Sequence, residues 1–144
     1  MSDLKSMAEM FGSSGVDTFL GLPACTNLDM LEARAAILGV PVATPYQSVG
    51  NYCTNAPEAI REAIAPYATN LQHVDFDFGE PLFPGESASA VDCGNLAYDE
   101  SDFAANRAAI KDAVITMVRK GAVPVLIGGD DSVPIPMFDA FTGV

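Results

Sequence analysis

Two adjacent carboxylates follow a pair of glycines in the segment Gly128–Ser132, which reads GGDDS and comes directly after the apolar run AVPVLI at 122–127. The glycines permit a sharp turn and a close approach of the backbone to a ligand. Two neighbouring carboxylates repel each other unless a cation, a hydrogen bond or solvent compensates them, and hard divalent metal ions favour such oxygen ligands. The same residue types are also common at the start of helices. The segment alone therefore leaves a metal site and a helix cap both open, with the cap the commoner of the two.

The other polar residues carry weaker signals. His73 is the single histidine of the chain and has no partner motif around it, so we expect a surface histidine rather than a metal ligand. Asp75 and Asp77 share the polar face of an alternating segment and are expected to be exposed. Cys93 has nothing in the sequence to activate it as a nucleophile, and the three cysteines lack the spacing of a zinc site.

Composition bounds the class of protein. The chain has 144 residues, 49% of them hydrophobic, and a formal net charge of −12. Such an acidic surface repels the phosphate backbone and argues against nucleic-acid binding, whereas it fits a cationic small molecule or a bound metal. No apolar run is long enough for a membrane helix, and the first residues lack the pattern of a secretory signal. We therefore expect a globular protein of the cytoplasm, with no membrane and no nucleic-acid partner.

The elements that would position the GGDDS segment alternate between strands and helices. We expect an irregular arm at 1–33 and one domain at 34–144. The apolar residues Phe19, Leu20 and Leu22 of the arm could dock on the body or on a partner subunit. Within this domain the pattern predicts a buried strand at 34–40, a loop at 41–55, a helix from Ala56 to Pro66, a half-exposed strand at 72–78, a loop at 79–95, a helix at 102–120 capped by Ser101, a buried strand at 122–127 and a helix at 132–141. The order predicts a three-layer α/β/α fold with a mainly parallel sheet. Sites in such sheets form at the carboxyl ends of the strands, where the GGDDS segment lies.

Three segments resemble the ureohydrolase family, which includes arginase and agmatinase. The segment GAVPVLIGGDDSVPIP resembles the family's buried strand followed by a Gly-Gly-Asp-His-Ser loop. The segment AAILGVP at 35–41 resembles its first core strand, and APEAIREA at 56–63 resembles its Gly-Pro-x-Ala-Ile-Arg helix start. The similarity runs from about Ala35 onwards and covers the amino-terminal half of the family's arginase-like domain.

The resemblance implies a metal-dependent hydrolase of guanidino compounds, agmatinase-like, that releases urea. It implies two manganese ions, with nickel or another divalent metal as an alternative, a small cationic guanidino substrate, and a trimer or hexamer of identical subunits. Asp131 would bind one metal ion, whereas Asp130, Gly129 and Ser132 would position the ligands. The family's Asp-x-His-x-Asp and Ser-x-Asp-x-Asp motifs lie downstream, so the catalytic residues are expected beyond Val144.

Two departures from the family pattern keep an alternative open. Asp131 stands where the family has a histidine ligand, and residues 48–53 lack the arginines and glycines usual before the Ala-Ile-Arg helix. The chain could be the front half of a longer enzyme, or it could pair with a second chain that supplies the remaining half. It could also be a catalytically inactive or partial ureohydrolase-like subunit with a structural or regulatory role.

Overall fold

The computed structural model describes residues 18–71, 73–81, 83 and 89–143. Its elements, in chain order, are strand β1 (Ala35–Gly39), helix α1 (Ala56–Ile64), strands β2 (Val74–Asp75) and β3 (Glu80–Pro81), strand β4 (Ala90–Asn95), helix α2 (Phe103–Arg119), strand β5 (Val123–Ile127) and helix α3 (Pro134–Ala140). Short 3-10 helices occupy Phe19–Gly21, Leu28–Met30, Ala65–Asn70 and Phe141–Gly143. No helix in the described part is long and apolar enough to cross a membrane.

The main sheet is parallel and has the order β4-β1-β5. Ala35 at the start of β1 is paired with Ala90 on one side and with Val123 on the other. Because all three strands run in the same direction, their carboxyl ends meet at one edge of the sheet. The loops after β1, β4 and β5 therefore emerge side by side, as the predicted parallel α/β fold requires.

Both faces of the central strand β1 are covered, which confirms the predicted doubly buried strand. Ala36 and Leu38 pack in a core cluster with Ile110, Val114 and Met117 of α2. On the opposite face, Ile37 packs in a second cluster with Leu22, Ala90 and Ile127, against which Ile60 of α1 and Phe19 also pack. This arrangement gives the three layers: α2 and α3 on one face, the sheet, and α1 with the segment 18–24 on the other.

The structure corrects two predicted strands. The segment 72–78 was expected to be a half-exposed strand with Val74, Phe76 and Phe78 on its apolar face, but β2 has only two residues and forms a small antiparallel hairpin with β3. Phe76 and Phe78 are 89% and 81% exposed. The turn forms because the Asp75 carboxylate accepts hydrogen bonds from the amides of Asp77 and Phe78, which is typical turn chemistry.

One of the two strands that pair with β1, strand β4, lies in the stretch 79–95, which was expected to be a loop. β4 carries Asp92 and Cys93 into the interior. The strand β5 was expected to be buried, but Val123 is 63% exposed because β5 forms an edge of the described sheet. The four remaining elements, β1, α1, α2 and α3, lie where the sequence predicts them to within a few residues.

The start of α2 also differs from its prediction by one residue. The N-cap is Asp102, whose carboxylate accepts a hydrogen bond from the amide of Ala105 at 2.9 Å. Ser101, the predicted cap, instead donates its hydroxyl to Asp99 at 2.6 Å. An aspartate at the N-cap also places negative charge at the positive end of the helix dipole.

Candidate functional site

The GGDDS segment lies at the carboxyl edge of the sheet, between β5 and α3. Gly128 and Gly129 have φ angles of +84° and +76°, which favour glycine. A Cβ atom on Gly128 would lie 2.5 Å from Cδ of Pro57, and one on Gly129 would lie 2.4 Å from the carbonyl oxygen of Val40. The glycine pair therefore lets the loop pass tightly between the start of α1 and the end of β1.

Asp130 fastens this loop to the one that follows β1. Its side chain is buried, and it accepts hydrogen bonds from the amide of Ala43 at 2.9 Å and from the amide of Ser132 at 3.0 Å. The Ser132 hydroxyl also donates to Asp130, and it accepts a hydrogen bond from the amide of Thr44 at 2.8 Å. Asp130 and Ser132 thus connect the loop after β5 to the loop after β1, and both carboxylate oxygens of Asp130 accept hydrogen bonds.

These hydrogen bonds determine the charge of Asp130. Burial by itself raises the pKa of the carboxyl group, but the hydrogen bonds from Ser132, Ala43 and Thr44 outweigh this effect and lower the pKa below its usual value. Asp130 is therefore ionised at neutral pH, and protein hydrogen-bond donors stabilise its charge. The sequence left open what compensates the repulsion between the two neighbouring carboxylates. For Asp130, hydrogen bonds do so.

Asp131 has the opposite environment. Its side chain is exposed, and no donor in the described part of the chain bonds to its carboxylate. It lines a depression of about 410 Å³ together with Thr44, Tyr46, Arg107, Ser132 and Ile135. The two adjacent aspartates therefore differ in environment: Asp130 is hydrogen-bonded within the fold, whereas the Asp131 carboxylate faces a surface depression.

Arg107, which the sequence did not single out, is the only cation lining this depression among the described residues. It lies in the first half of α2, is half-buried, and donates a hydrogen bond to Oγ1 of Thr44 at 2.6 Å. The depression thus contains one free carboxylate and one guanidinium.

The same two carboxylates affect the pKa of Tyr52. A side-chain hydrogen bond with Cys53 raises the pKa of its phenol, and the charges of Asp131 and Asp130 raise it further. Tyr52 is therefore protonated at neutral pH and can donate a hydrogen bond. It belongs to the segment 48–53, where the sequence departs from the family pattern.

A second cluster joins α1 to β4. Arg61 and Asp92 form a buried ion pair with 2.7 Å between Nε and Oδ2, and a second bond of 2.8 Å joins Nη2 to Oδ1. Arg61 also donates to Oδ1 of Asn95 at 2.6 Å and to the carbonyl oxygen of Gly94 at 3.1 Å. The amide of Phe19 donates to Asp92 at 2.6 Å, so this pair also holds the amino-terminal segment.

The ion pair sets the ionisation of both partners. Burial raises the pKa of Asp92, but the hydrogen bonds from Arg61, Phe19 and Gly94 outweigh burial and lower it. The hydrogen bond to Asp92 raises the pKa of Arg61. Both groups are therefore charged at neutral pH, and their donors and acceptors are used within the fold.

The remaining candidate residues lie outside the depression. His73 is exposed, as expected, and its ring meets that of Phe76 edge-on with 5.9 Å between centroids. Burial raises the pKa of the Cys93 thiol to about 11, so it is protonated and inert, as expected. In the parts of the chain that the structure describes, no three His, Cys, Asp or Glu side chains come together as a metal-binding group. The described residues therefore do not form a complete metal-ligand set by themselves.

Comparison with known proteins decides the family. Residues 33–143 match the sequence profile of the arginase family. The chain belongs to the arginase family. This membership confirms the resemblance seen in the sequence and accounts for the parallel sheet with its site-bearing loop at the carboxyl edge.

Solved structures share the fold of this arginase-family chain. A hypothetical agmatinase from Burkholderia thailandensis has a TM-score of 0.70 and 24% identity, with 90% of this chain and 38% of that chain covered. The proclavaminate amidinohydrolase of Streptomyces clavuligerus has a TM-score of 0.66 and 20% identity over 87% and 38% of the two chains. A formiminoglutamase of Trypanosoma cruzi with Mn²⁺ has a TM-score of 0.58 and 21% identity over 85% and 39%.

The chain thus spans about two fifths of the length of these solved relatives. No curated protein matches it significantly. At identities below 25%, the solved structures support the arginase-family fold and leave the reaction to be inferred from the site.

Proposed function

We propose that the complete protein is a metal-dependent amidinohydrolase that cleaves a C–N bond of a guanidino compound and releases urea. The observation that carries the proposal is Asp131. In an arginase-family chain it presents a free, exposed carboxylate from the glycine loop at the carboxyl edge of the sheet. This is the position at which the family resemblance expects a metal ligand.

The residues of the glycine loop would have different roles in this reaction. Asp131 would hold a divalent ion, and manganese is the first candidate because a solved relative is named with Mn²⁺. Such an ion supplies positive charge that lowers the pKa of water to near neutrality. Asp130 and Ser132 hold the loop against the amides of Ala43 and Thr44, and Gly129 lets it approach Val40, so the backbone that carries Asp131 is held in place.

Other parts of the complete protein must supply the rest of the centre. We expect two metal ions, with further ligands and the catalytic residues from segments that follow Val144 in the family pattern. We also propose a cytoplasmic trimer or hexamer of identical subunits, since the resemblance implies this assembly. The net charge of −12 favours the approach of the positively charged guanidinium group of such a substrate.

The test compares two carboxylate variants of the protein expressed from its complete reading frame. Asp131→Asn is expected to lose bound manganese, measured by elemental analysis after dialysis, and to lose urea release from agmatine and 4-guanidinobutyrate. Asp139→Asn, an exposed carboxylate on α3, serves as the matched control and should retain both. If the wild-type protein binds no divalent metal and releases no urea from any guanidino compound, the proposal is wrong.

The aspartate at position 131 favours one alternative. Where the family loop has histidine, a subunit that has lost the metal centre could retain the fold and serve as a structural or regulatory partner. In this case Asp131→Asn would leave assembly unchanged, and neither the variant nor the wild type would release urea. Restoring the family residue with Asp131→His would then raise metal affinity above that of the wild type.

A further inference from the structure

The chain contains two partly or fully buried arginines with different surroundings. Arg61 is paired with Asp92 and uses its donors within the fold. Arg107 makes a single hydrogen bond, to the hydroxyl of Thr44, and has no carboxylate within ion-pair distance among the described residues. A guanidinium has five N–H donors in a rigid fork, so most of those on Arg107 remain available to a ligand.

Among the described residues, no carboxylate forms an ion pair with Arg107, which is unexpected in so acidic a chain. It has 19 acidic and 7 basic residues, so a half-buried arginine has many potential partners. Arg107 instead faces the same depression of about 410 Å³ as Asp131. Its hydrogen bond to Thr44 orients the guanidinium without neutralising it, because a hydroxyl carries no charge. A cation held in this way is suited to bind an anion.

We propose that Arg107 binds the carboxylate tail of the substrate, so that the substrate class is a guanidino acid rather than a guanidino amine. This inference rests on the proposed function, because it takes the loop with Asp131 as the place of the guanidino end. The depression places the guanidinium of Arg107 beside the loop that carries Asp131, so the tail carboxylate of a substrate bound at this loop would meet a cation there. An amine such as agmatine would instead bring its ammonium group near Arg107, where like charges repel.

The reaction balances with water alone. Water adds to the guanidinium carbon, the bond from this carbon to the alkyl nitrogen breaks, and the nitrogen leaves with a proton as the amine. A guanidino acid therefore yields urea and an amino acid. Arg107 has no part in these bond changes. It is a specificity-determining residue, and its effect is expected in binding of the tail rather than in the chemical step.

The test measures binding and turnover separately, in the protein expressed from its complete reading frame and loaded with Mn²⁺. Binding of 4-guanidinobutyrate and of agmatine is followed by NMR titration, and turnover by urea release. The variants are Arg107→Met, which removes the charge, and Arg107→Lys, which retains it without the fork. Lys111→Met, one turn further along α2 and outside the depression, is the control.

We expect the wild type to prefer 4-guanidinobutyrate. Arg107→Met should weaken its binding about 10- to 100-fold, as expected for loss of a charged hydrogen-bonding partner, and should tighten the binding of agmatine. Arg107→Lys should lie between the two, and Lys111→Met should retain the wild-type preference. A change in KM with little change in kcat would distinguish tail binding from a general loss of structure.

The inference is overturned if the wild type prefers agmatine, if it binds neither compound, or if Arg107→Met changes the binding of both compounds equally. Failure of the proposed function looks different. In that case no urea is released from either compound by any variant, while the NMR titration still shows whether the depression distinguishes an anionic tail from a cationic one. A variant that fails to fold is detected by its circular dichroism, and Arg107→Lys then decides the outcome.

Discussion

Replacing Arg61 by methionine is expected to destabilise the fold strongly, because it leaves a buried charge without its partner. The Arg61 side chain is 9% exposed and that of Asp92 only 1%. In Arg61→Met, Asp92 loses both of its bonds to the guanidinium and retains only the amides of Phe19 and Gly94. Methionine retains much of the side-chain volume, so the cost is mainly electrostatic.

The size of the effect follows from the contacts. Breaking a buried ion pair on one side typically costs about 3–5 kcal/mol. Two backbone amides still donate hydrogen bonds to Asp92 and compensate part of its charge. We therefore expect a loss near the lower end of this range, about 3 kcal/mol in the free energy of unfolding. An exposed ion pair would contribute about 1 kcal/mol or less. The two cases are therefore separable by experiment.

Urea-induced unfolding at pH 7, followed by far-ultraviolet circular dichroism, measures this difference. Arg119→Met, an exposed arginine at the end of α2, is the matched control and should lose no more than about 1 kcal/mol. Adding Asp92→Asn to Arg61→Met should recover part of the loss, because it removes the unpaired charge. A loss below about 1 kcal/mol for Arg61→Met, or no recovery in the double variant, would refute the reasoning.

Three further predictions concern the glycine loop and two titrating groups. Gly129→Ala should cost more stability than Gly50→Ala in the same urea assay: both residues have positive φ, worth about 1–2 kcal/mol, but only at Gly129 would the new Cβ meet a backbone oxygen, that of Val40 at 2.4 Å. Folding lowers the pKa of Asp130, so the ionised carboxylate stabilises the fold above about pH 4, and this stabilisation is lost as the pH falls further. Asp130→Asn lacks this contribution, so the free energies of unfolding of the wild type and the variant should converge in acid. Because folding raises the pKa of Cys93 from 9.0 to about 11, the unfolded chain loses the thiol proton first, and stability should fall between these two pH values in the wild type but less in Cys93→Ala, as a pH series of thermal unfolding would show.

Local sequence pattern was sufficient to locate most of the fold. The run AAILG is continuous and apolar, and it forms the central strand β1 with both faces covered. The helix α2 begins after acidic residues and ends before Gly121, and the apolar residues Ile110, Val114 and Met117 on one of its faces are buried. These signals are local in the chain, so a sequence can be interpreted without knowledge of the partners.

The strand β4 could not be predicted in the same way. Its sequence AVDCGN contains aspartate, glycine and asparagine, which are rare in strands, and its polar core residue Asp92 is stabilised by Arg61 from a different element. The hairpin segment has the opposite problem. Its alternation of apolar and acidic residues resembles a strand, yet Phe76 and Phe78 have no core to pack against. In both cases tertiary contacts decide, and these are not visible in a window of the sequence.

The candidate site was predicted in part. The glycine loop lies at the carboxyl edge of the sheet, as predicted, and Asp130 accepts hydrogen bonds from the amides of Ala43 and Ser132. That Asp130 positions a metal ligand stays a prediction. The role of Asp131 as a ligand stays a prediction. Arg107 was missed because nothing in its neighbourhood on the helix shows that Thr44, from the loop after β1, lies beside it.

The parallel order β4-β1-β5 also bears on how the protein is made. The central strand leaves the ribosome first, yet its neighbours begin at Ala90 and Val123, so the nascent chain must carry β1 without a partner from the described sheet until β4 has been made. Such long-range pairing is slow and leaves hydrogen-bonding strand edges open to other chains. The strand that carries the candidate site, β5, is also the one whose arrival completes the pairing of β1, so a polypeptide interrupted before it would be a natural target for chaperones.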